Sequence, residues 1–268
     1  MLKLNREQID LADVTTGGRT TRFEKKNGEW QISEPPSVRA EFAAVDGLVS
    51  RVSSVQMKSI VPDAIDMKTY GLDKPTATVR LGSGSAQATL IIGGPAETGS
   101  LYAKDLSRPA VFTIESALVD DLKKDASEYR QKDLFDARSF NTTRLEIVRN
   151  GQTTVFEKAK VKDKDGKEQE KWRQIAPAAR DVDAAKVDAL ISAATGARAT
   201  GFVTNAAKTG LDKPELSLTF KYDEGKEERV AFARTKDAAY ASRAGSPGAA
   251  QVDASVIDAI VKALEDVK

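Results

Sequence analysis

The chain has no cysteine and no histidine in its 268 residues. Without cysteine it can form no disulfide, no thiolate nucleophile and no thiolate-ligated metal centre. Without histidine it lacks the commonest general base and the commonest transition-metal ligand. Aromatic residues are 6% of the sequence, too few for the stacking surface of a single-strand binder. The 41 basic residues are interspersed with 40 acidic ones, for a net charge of +1. There is no basic stripe of the kind a nucleic-acid binder shows. No apolar run approaches the roughly 18 residues of a membrane span, and no signal peptide is visible. The first residues, with Leu2 and Leu4, read as strand-like. Either the chain is soluble in its own right, or it is an ectodomain separated from its targeting segment. What is present is a hydrophobic content of 40%, enough for packed cores, in a length that suits two domains.

The chain also contains itself twice. Gly71-Leu72-Asp73-Lys74-Pro75 recurs as Gly210-Leu211-Asp212-Lys213-Pro214, and the flanking material recurs in the same order. Such a repeat means one supersecondary plan used two times. Thr20-Thr21-Arg22-Phe23-Glu24-Lys25 resembles Thr153-Thr154-Val155-Phe156-Glu157-Lys158. Trp30 with Pro35 corresponds to Trp172 with Pro177. Phe42, Val45, Leu48, Val49 and Val52 fall at helical spacing. Val187, Leu190, Ile191 and Ala194 match them, between an N-cap at Asp183 and a stop at Gly196. Ile60-Val61 and Phe202-Val203 read as the strand leaving each helix. After each Gly-Leu-Asp-Lys-Pro turn the pattern alternates: Ala77, Val79 and Leu81 match Leu216, Leu218 and Phe220, the mark of half-buried strands. Gly82-Ser83-Gly84-Ser85 and Asp223-Glu224-Gly225 read as hairpin turns. Tyr102 matches Tyr240, and each copy closes on a helix carrying Leu118, Val119 and Leu122 or Val256, Ile257 and Ile260.

Strands joined by short hairpins are antiparallel. The expected fold is therefore α+β, with two tandem homologous lobes over residues 1–135 and 136–268. Each lobe is expected to be a twisted, mainly antiparallel sheet with about two packed helices. The boundary lies in the charged stretch Asp133–Phe140.

Candidate sites are few. In the Gly-Leu-Asp-Lys-Pro turns, Gly permits positive φ, Leu72 and Leu211 plug the core, Asp bonds turn amides and Pro fixes the next strand. A functional reading has both turns touching one partner. Lys162-Asp163-Lys164-Asp165-Gly166-Lys167-Glu168 has oxygen ligands at alternate positions before a glycine, as in a calcium loop. Its register is wrong and its lysines repel a cation, so it reads as a solvated hairpin. Ile91-Ile92-Gly93-Gly94-Pro95 lacks the phosphate-loop spacing and reads as a strand ending in a turn. Glu115, Asp120 and Asp121 lie near a helix start, where carboxylates complement the dipole; nothing marks a buried catalytic pair. Trp30 and Trp172 read as equivalent core residues.

The pattern of Trp30, the helix, Tyr70-Gly71-Leu72-Asp73-Lys74-Pro75, the alternating strands and Ile92-Gly93 resembles a bacterial family known as domain of unknown function 4340, here in two copies. The segment Tyr129-Arg130-Gln131-Lys132-Asp133-Leu134-Phe135 resembles the Arg-x-Lys-x-Leu segment that members carry before their second half. The resemblance implies an extracytoplasmic region behind one membrane-spanning helix, a segment this chain does not contain, encoded beside ABC-2 type transporter subunits and gliding-motility-type auxiliary proteins. It implies no catalytic residue. The expectation is a non-enzymatic, periplasmic or extracytoplasmic interaction module, anchored to the inner membrane and accessory to an ABC-type transport or motility-like assembly. Its expected partners are permease and ATPase subunits, with no cofactor, no metal and no nucleic acid. The alternative is a periplasmic ligand-binding protein that holds a glycan, lipid or peptide between the lobes. A hydrolase built on carboxylates alone is the remaining reading.

Overall fold

The computed structural model describes residues 4–33, 37–62, 64, 66–97, 99–162, 168–223 and 225–267. Met1, Leu2, Pro35, Glu224 and the stretch 163–167 lie outside the described residues, and with them the calcium-like segment and one Trp–Pro match. The chain forms two compact units, Met1–Gln131 and Lys132–Lys268. The division precedes the 135/136 boundary because Leu134 and Phe135 are buried in the second core.

The first unit runs β1 (Leu11–Thr16), β2 (Arg19–Lys26), β3 (Glu29–Ile32), β4 (Val38–Arg39), α1 (Phe42–Ser53), β5 (Ser59–Val61), β6 (Ala77–Ser83), β7 (Ala86–Pro95), β8 (Ser100–Asp105), β9 (Val111–Glu115) and α2 (Ala117–Leu122). The second runs β10 (Thr142–Arg149), β11 (Gln152–Lys162), β12 (Glu168–Ala176), β13 (Arg180–Asp181), α3 (Ala184–Thr195), β14 (Gly201–Val203), β15 (Leu216–Tyr222), β16 (Lys226–Arg234), β17 (Ala239–Arg243), β18 (Ala249–Val252) and α4 (Ala254–Val267). Each unit holds one nine-stranded sheet. Their orders, β4-β3-β2-β1-β6-β7-β8-β9-β5 and β13-β12-β11-β10-β15-β16-β17-β18-β14, are the same path taken twice. The paired strands are antiparallel, so each unit is the expected α+β lobe with two α-helices. Asn27-Gly28 and Asn150-Gly151 turn the β2–β3 and β10–β11 hairpins with positive φ at both residues, the twist such hairpins need.

Alternation places one face of each sheet in the core. Val79, Leu81, Leu90, Ile92, Phe112 and Ile114 meet Val45, Leu48, Val49 and Val52 of α1 and Leu118, Val119 and Leu122 of α2. In the second unit Leu218, Phe220, Val230 and Phe232 meet Val187, Leu190 and Ile191 of α3 and Ile257, Ile260 and Leu264 of α4. Trp30 and Trp172 are buried in these cores.

Two local expectations are corrected. The first strand begins at Leu11, and Leu4 instead precedes a single 3₁₀ turn, Arg6–Gln8, capped by the Asn5 side chain. Phe42 is 49% exposed, because the first residue of α1 lies at the end of the stripe, where it packs on the Lys25 side chain. Asp183 and Gly196 do bound α3 as N-cap and C-cap, Gly196 at φ −75°, in a right-handed cap that makes no use of glycine's freedom.

Candidate functional site

The recurrent turn is built differently in the two units. In the first, a 3₁₀ turn (Met67–Tyr70) starts on Asp66, whose carboxylate accepts from the Lys68 amide at 3.0 Å, and ends on Gly71 at φ 67°. Leu72 is buried in a satellite cluster with Ile91 and Val111, on the face of the sheet opposite the main core. The turn rests directly on β7. A Cβ on Gly93 would lie 2.2 Å from the Tyr70 carbonyl oxygen, and one on Gly71 would lie 2.8 Å from the Gly94 nitrogen. Thr76 Oγ1 donates to the Gly93 carbonyl at 2.9 Å. Ile91-Ile92-Gly93-Gly94-Pro95 is thus the seat of the Gly-Leu-Asp-Lys-Pro turn. Two motifs that look unrelated in sequence are one contact.

In the second unit the seat is Ala233-Arg234. The nearest atoms to a Cβ on Gly210 are the Ala233 Cβ and the Arg234 carbonyl oxygen, both at 3.5 Å, ordinary contact distances. Leu211 is half-buried and joins no core cluster, against the expectation that it plugs one. A seat with side chains holds its turn further off than a glycine seat does. In both units the Asp and Lys of the turn are exposed. Among the described residues no hydrogen bond or ion pair joins Asp73, Lys74, Asp212 or Lys213 to another side chain or to a turn amide. The expected Asp-to-amide bonds are not made. The Gly and Leu of the motif serve the fold in the first unit; among the described residues the Asp and Lys side chains make no polar tie in either unit.

The carboxylates near α2 do not form a buried pair. Glu115 and Asp120 are exposed, and Asp121 is ion-paired with Arg51 at 3.1 Å and Lys124 at 2.9 Å. Glu115 and Asp121 share the rim of a cleft of about 580 Å³ between the C-terminal end of α1 and α2. Its wall includes Arg51, Val55, Met57, Lys58 and Leu118. The indoles have matching lysines: Lys25 Nζ lies 5.6 Å from the Trp30 ring centroid and Lys158 Nζ lies 5.3 Å from that of Trp172. Both are covered core aromatics, as expected.

Two buried charge clusters were not anticipated. Asp13, on β1, stands between its direct cross-strand neighbours Arg22 and Arg80. Arg22 Nε donates to Oδ1 at 2.8 Å and Arg80 Nε donates to Oδ2 at 2.9 Å. Burial alone would raise this carboxyl, but bonds and charge from the two guanidinium groups outweigh it and hold it below the ordinary 3.8. In the second unit Glu228 accepts from the Asp136 amide at 3.0 Å and the Ala137 amide at 2.7 Å, and pairs with Arg243 at 3.1 Å. Arg243 also donates to Asp136 Oδ2 at 2.7 Å. The sequence signal for both clusters is an acidic residue at an alternating strand position with arginine on the neighbouring strand. It becomes readable only when the register is known. Tyr129 closes the first core edge-on to Phe23, its hydroxyl donating to the Asp121 carbonyl at 3.0 Å. Burial, reinforced by Asp121, pushes its phenol up to about 12.

Among the described residues no group of three or more acidic side chains could hold a metal ion, and no helix is long and apolar enough to cross a membrane. The family profile described as "Domain of unknown function (DUF4340)" matches residues 30–214, and the chain belongs to that family. The match is one continuous stretch, from Trp30 in the first unit to the proline that ends the second turn. Searches of the curated proteins and of the solved structures find no match.

Proposed function

We propose that this chain is a non-enzymatic interaction module of the extracytoplasmic side of a membrane, accessory to an ABC-type transport or motility-like assembly. One observation carries the interaction role. Asp73-Lys74 and Asp212-Lys213 are kept in both copies and exposed, and among the described residues their side chains make no hydrogen bond or ion pair. Most positions around them have diverged, including the seat beneath them. A charged pair retained twice without internal contacts is free for an external one. The membrane-assembly setting rests on the family resemblance. The non-enzymatic reading rests on the sequence, which carries neither histidine nor cysteine, and on the commitment of the buried carboxylates Asp13 and Glu228 to arginine.

The test is a mild crosslinking pull-down of the full-length tagged protein from its native membranes, beside a variant with Asp73, Lys74, Asp212 and Lys213 changed to Ala. Exposed substitutions of this kind leave stability within about 0.5 kcal/mol. Recovery of transporter permease and ATPase subunits with the parent, reduced in the variant, is expected. Recovery of nothing above control, together with thermal stabilisation by a small-molecule panel, would replace this reading with ligand binding.

A further inference from the structure

The five asparagines of the chain fall into two groups. Three are tethered. The side-chain oxygen of Asn5 accepts from the Glu7 amide at 3.2 Å, that of Asn141 from the Arg138 amide at 2.7 Å and that of Asn205 from the Ala207 amide at 2.9 Å. Each is followed by a residue with a Cβ, Arg6, Thr142 or Ala206. The Thr142 amide is itself spent on the Arg138 carbonyl, at 3.0 Å.

Asn27 and Asn150 are held differently. Both are exposed at a hairpin turn, and among the described residues neither side chain makes a hydrogen bond. Each is followed by a glycine whose amide, among the described residues, makes no hydrogen bond either. A Cβ built on Gly28 or Gly151 would meet nothing within 4 Å, so both turns are uncrowded.

These neighbours allow ring closure. The glycine nitrogen attacks Cγ of the asparagine. A bond forms between them, the Cγ–Nδ2 bond breaks, and ammonia leaves with the proton of the glycine amide. The product is a cyclic imide, which water then opens. Opening at Cγ gives aspartate. Opening at the backbone carbonyl gives isoaspartate, whose main chain runs through the former side chain and is longer by one carbon. Asparagine is a heat-labile residue. A Cβ on the next residue obstructs the attack, whereas glycine leaves it open and lets the turn bend toward it.

We propose that Asn27-Gly28 and Asn150-Gly151 are sites of spontaneous conversion to aspartate and isoaspartate, and that Asn27 converts first. Ring closure requires the turn to leave its hairpin conformation, and local opening is easiest where least pairing holds it. After Asn27 comes β3, of 4 residues, flanked at the edge of the sheet by the 2-residue β4. Asn150 joins β10 and β11, of 8 and 11 residues, inside the other sheet. Each conversion adds one negative charge, so the two together take the net charge from +1 to −1. An isoaspartate also lengthens the two-residue turn that sets Lys26 opposite Glu29 or Arg149 opposite Gln152. The inference is independent of the partner-binding role above.

The test is to hold the intact chain in mildly alkaline buffer for weeks and follow it by ion-exchange chromatography and peptide mass spectrometry. Two successive acidic forms are expected, the first changed at Asn27 and the second at Asn150 as well, with Asn5, Asn141 and Asn205 intact. An Asn27→Gly variant, whose Gly-Gly turn suits the same hairpin, should lose the first acidic form and keep conversion at Asn150. Conversion of Asn5, Asn141 or Asn205 in step with Asn27, or an intact Asn27 and Asn150, would overturn the proposal. Conversion of Asn150 ahead of Asn27 would overturn the order.

Discussion

The two units share every strand neighbour and diverge in almost every polar tie. Ala12, Phe23 and Leu81 stand where Leu145, Phe156 and Phe220 stand, and all are buried. Yet Asp13, Arg22 and Arg80 occupy the places of Glu146, Val155 and Thr219. Conversely Glu228 and Arg243 occupy the places of Ala88 and Asp105. In the first unit Asp105 bonds its own turn, accepting from the Ser107 amide at 2.9 Å and hydroxyl at 2.7 Å. In the second unit the same site ties down the segment leading into β10. The second core is closed by a helix of 14 residues; in the first a helix of 6 residues and Tyr129 share that task. The difference teaches that apolar alternation sets the sheet order, because a slip of one residue would turn every core side chain outward. Buried charges are local fastenings that can be moved between copies.

That comparison can be broken at three points. The largest effect is expected from Glu228→Ala, which strips two amides and a guanidinium of their acceptor. A loss of about 3 kcal/mol is expected, confined to the second unit. The chain's 2 tryptophans, Trp30 and Trp172, lie one in each unit. A Trp30→Phe background therefore lets Trp172 fluorescence in a urea titration report the second unit alone. An equal loss in both units would contradict the assignment.

Next is the seat of the turn. Gly93→Ala should cost the first unit about 2 kcal/mol, since its Cβ would fall 2.2 Å from a backbone oxygen. The counterpart Ala233→Gly should cost the second unit only about 0.5–1 kcal/mol, from added chain freedom. Similar values for the two would show that the seats are not different in kind.

The smallest effect is expected at Asp13. Both arginines are more than a third exposed, so Asp13→Asn should cost about 1 kcal/mol at neutral pH. Because the folded carboxyl titrates below its ordinary 3.8, its contribution is complete above that value and is lost as pH falls through the lower, folded one. Acid titration followed by Trp30 in a Trp172→Phe background should show a shallower loss in Asp13→Asn than in the parent. Parallel curves would remove Asp13 as a source of acid sensitivity.

Much of this architecture is legible in the residues. The doubled Gly-Leu-Asp-Lys-Pro, the alternation after it and the stripes of α1 and α3 foretell two like lobes, because each is a local periodicity. Contacts set by tertiary approach are not legible in this way. Gly93-Gly94 looks like a plain turn until Tyr70 is seen against it. Leu211 matches Leu72 letter for letter and packs differently because of Ala233. Lys132–Leu134 looks like a linker until Ala197–Ala199 is seen beside it. For the same reason the candidate sites on a turn could be named from sequence, whereas the cross-strand partners of Asp13 and Glu228 could not.

Tyr129 belongs to the first core and Leu134 to the second. Between them Arg130 bridges Ala40 and Gln131 donates to the Arg39 carbonyl, while Lys132 accepts from Ala199 and Asp133 bridges Arg198. Allegiance passes from one unit to the other across a single peptide bond, with no unclaimed residue on either side. A seam of this kind has no slack to cut: a break one residue early would leave the first unit with a frayed edge, and one residue late would take a rung from the second. The two units follow one strand order, but the chain cannot be dealt back into two interchangeable pieces.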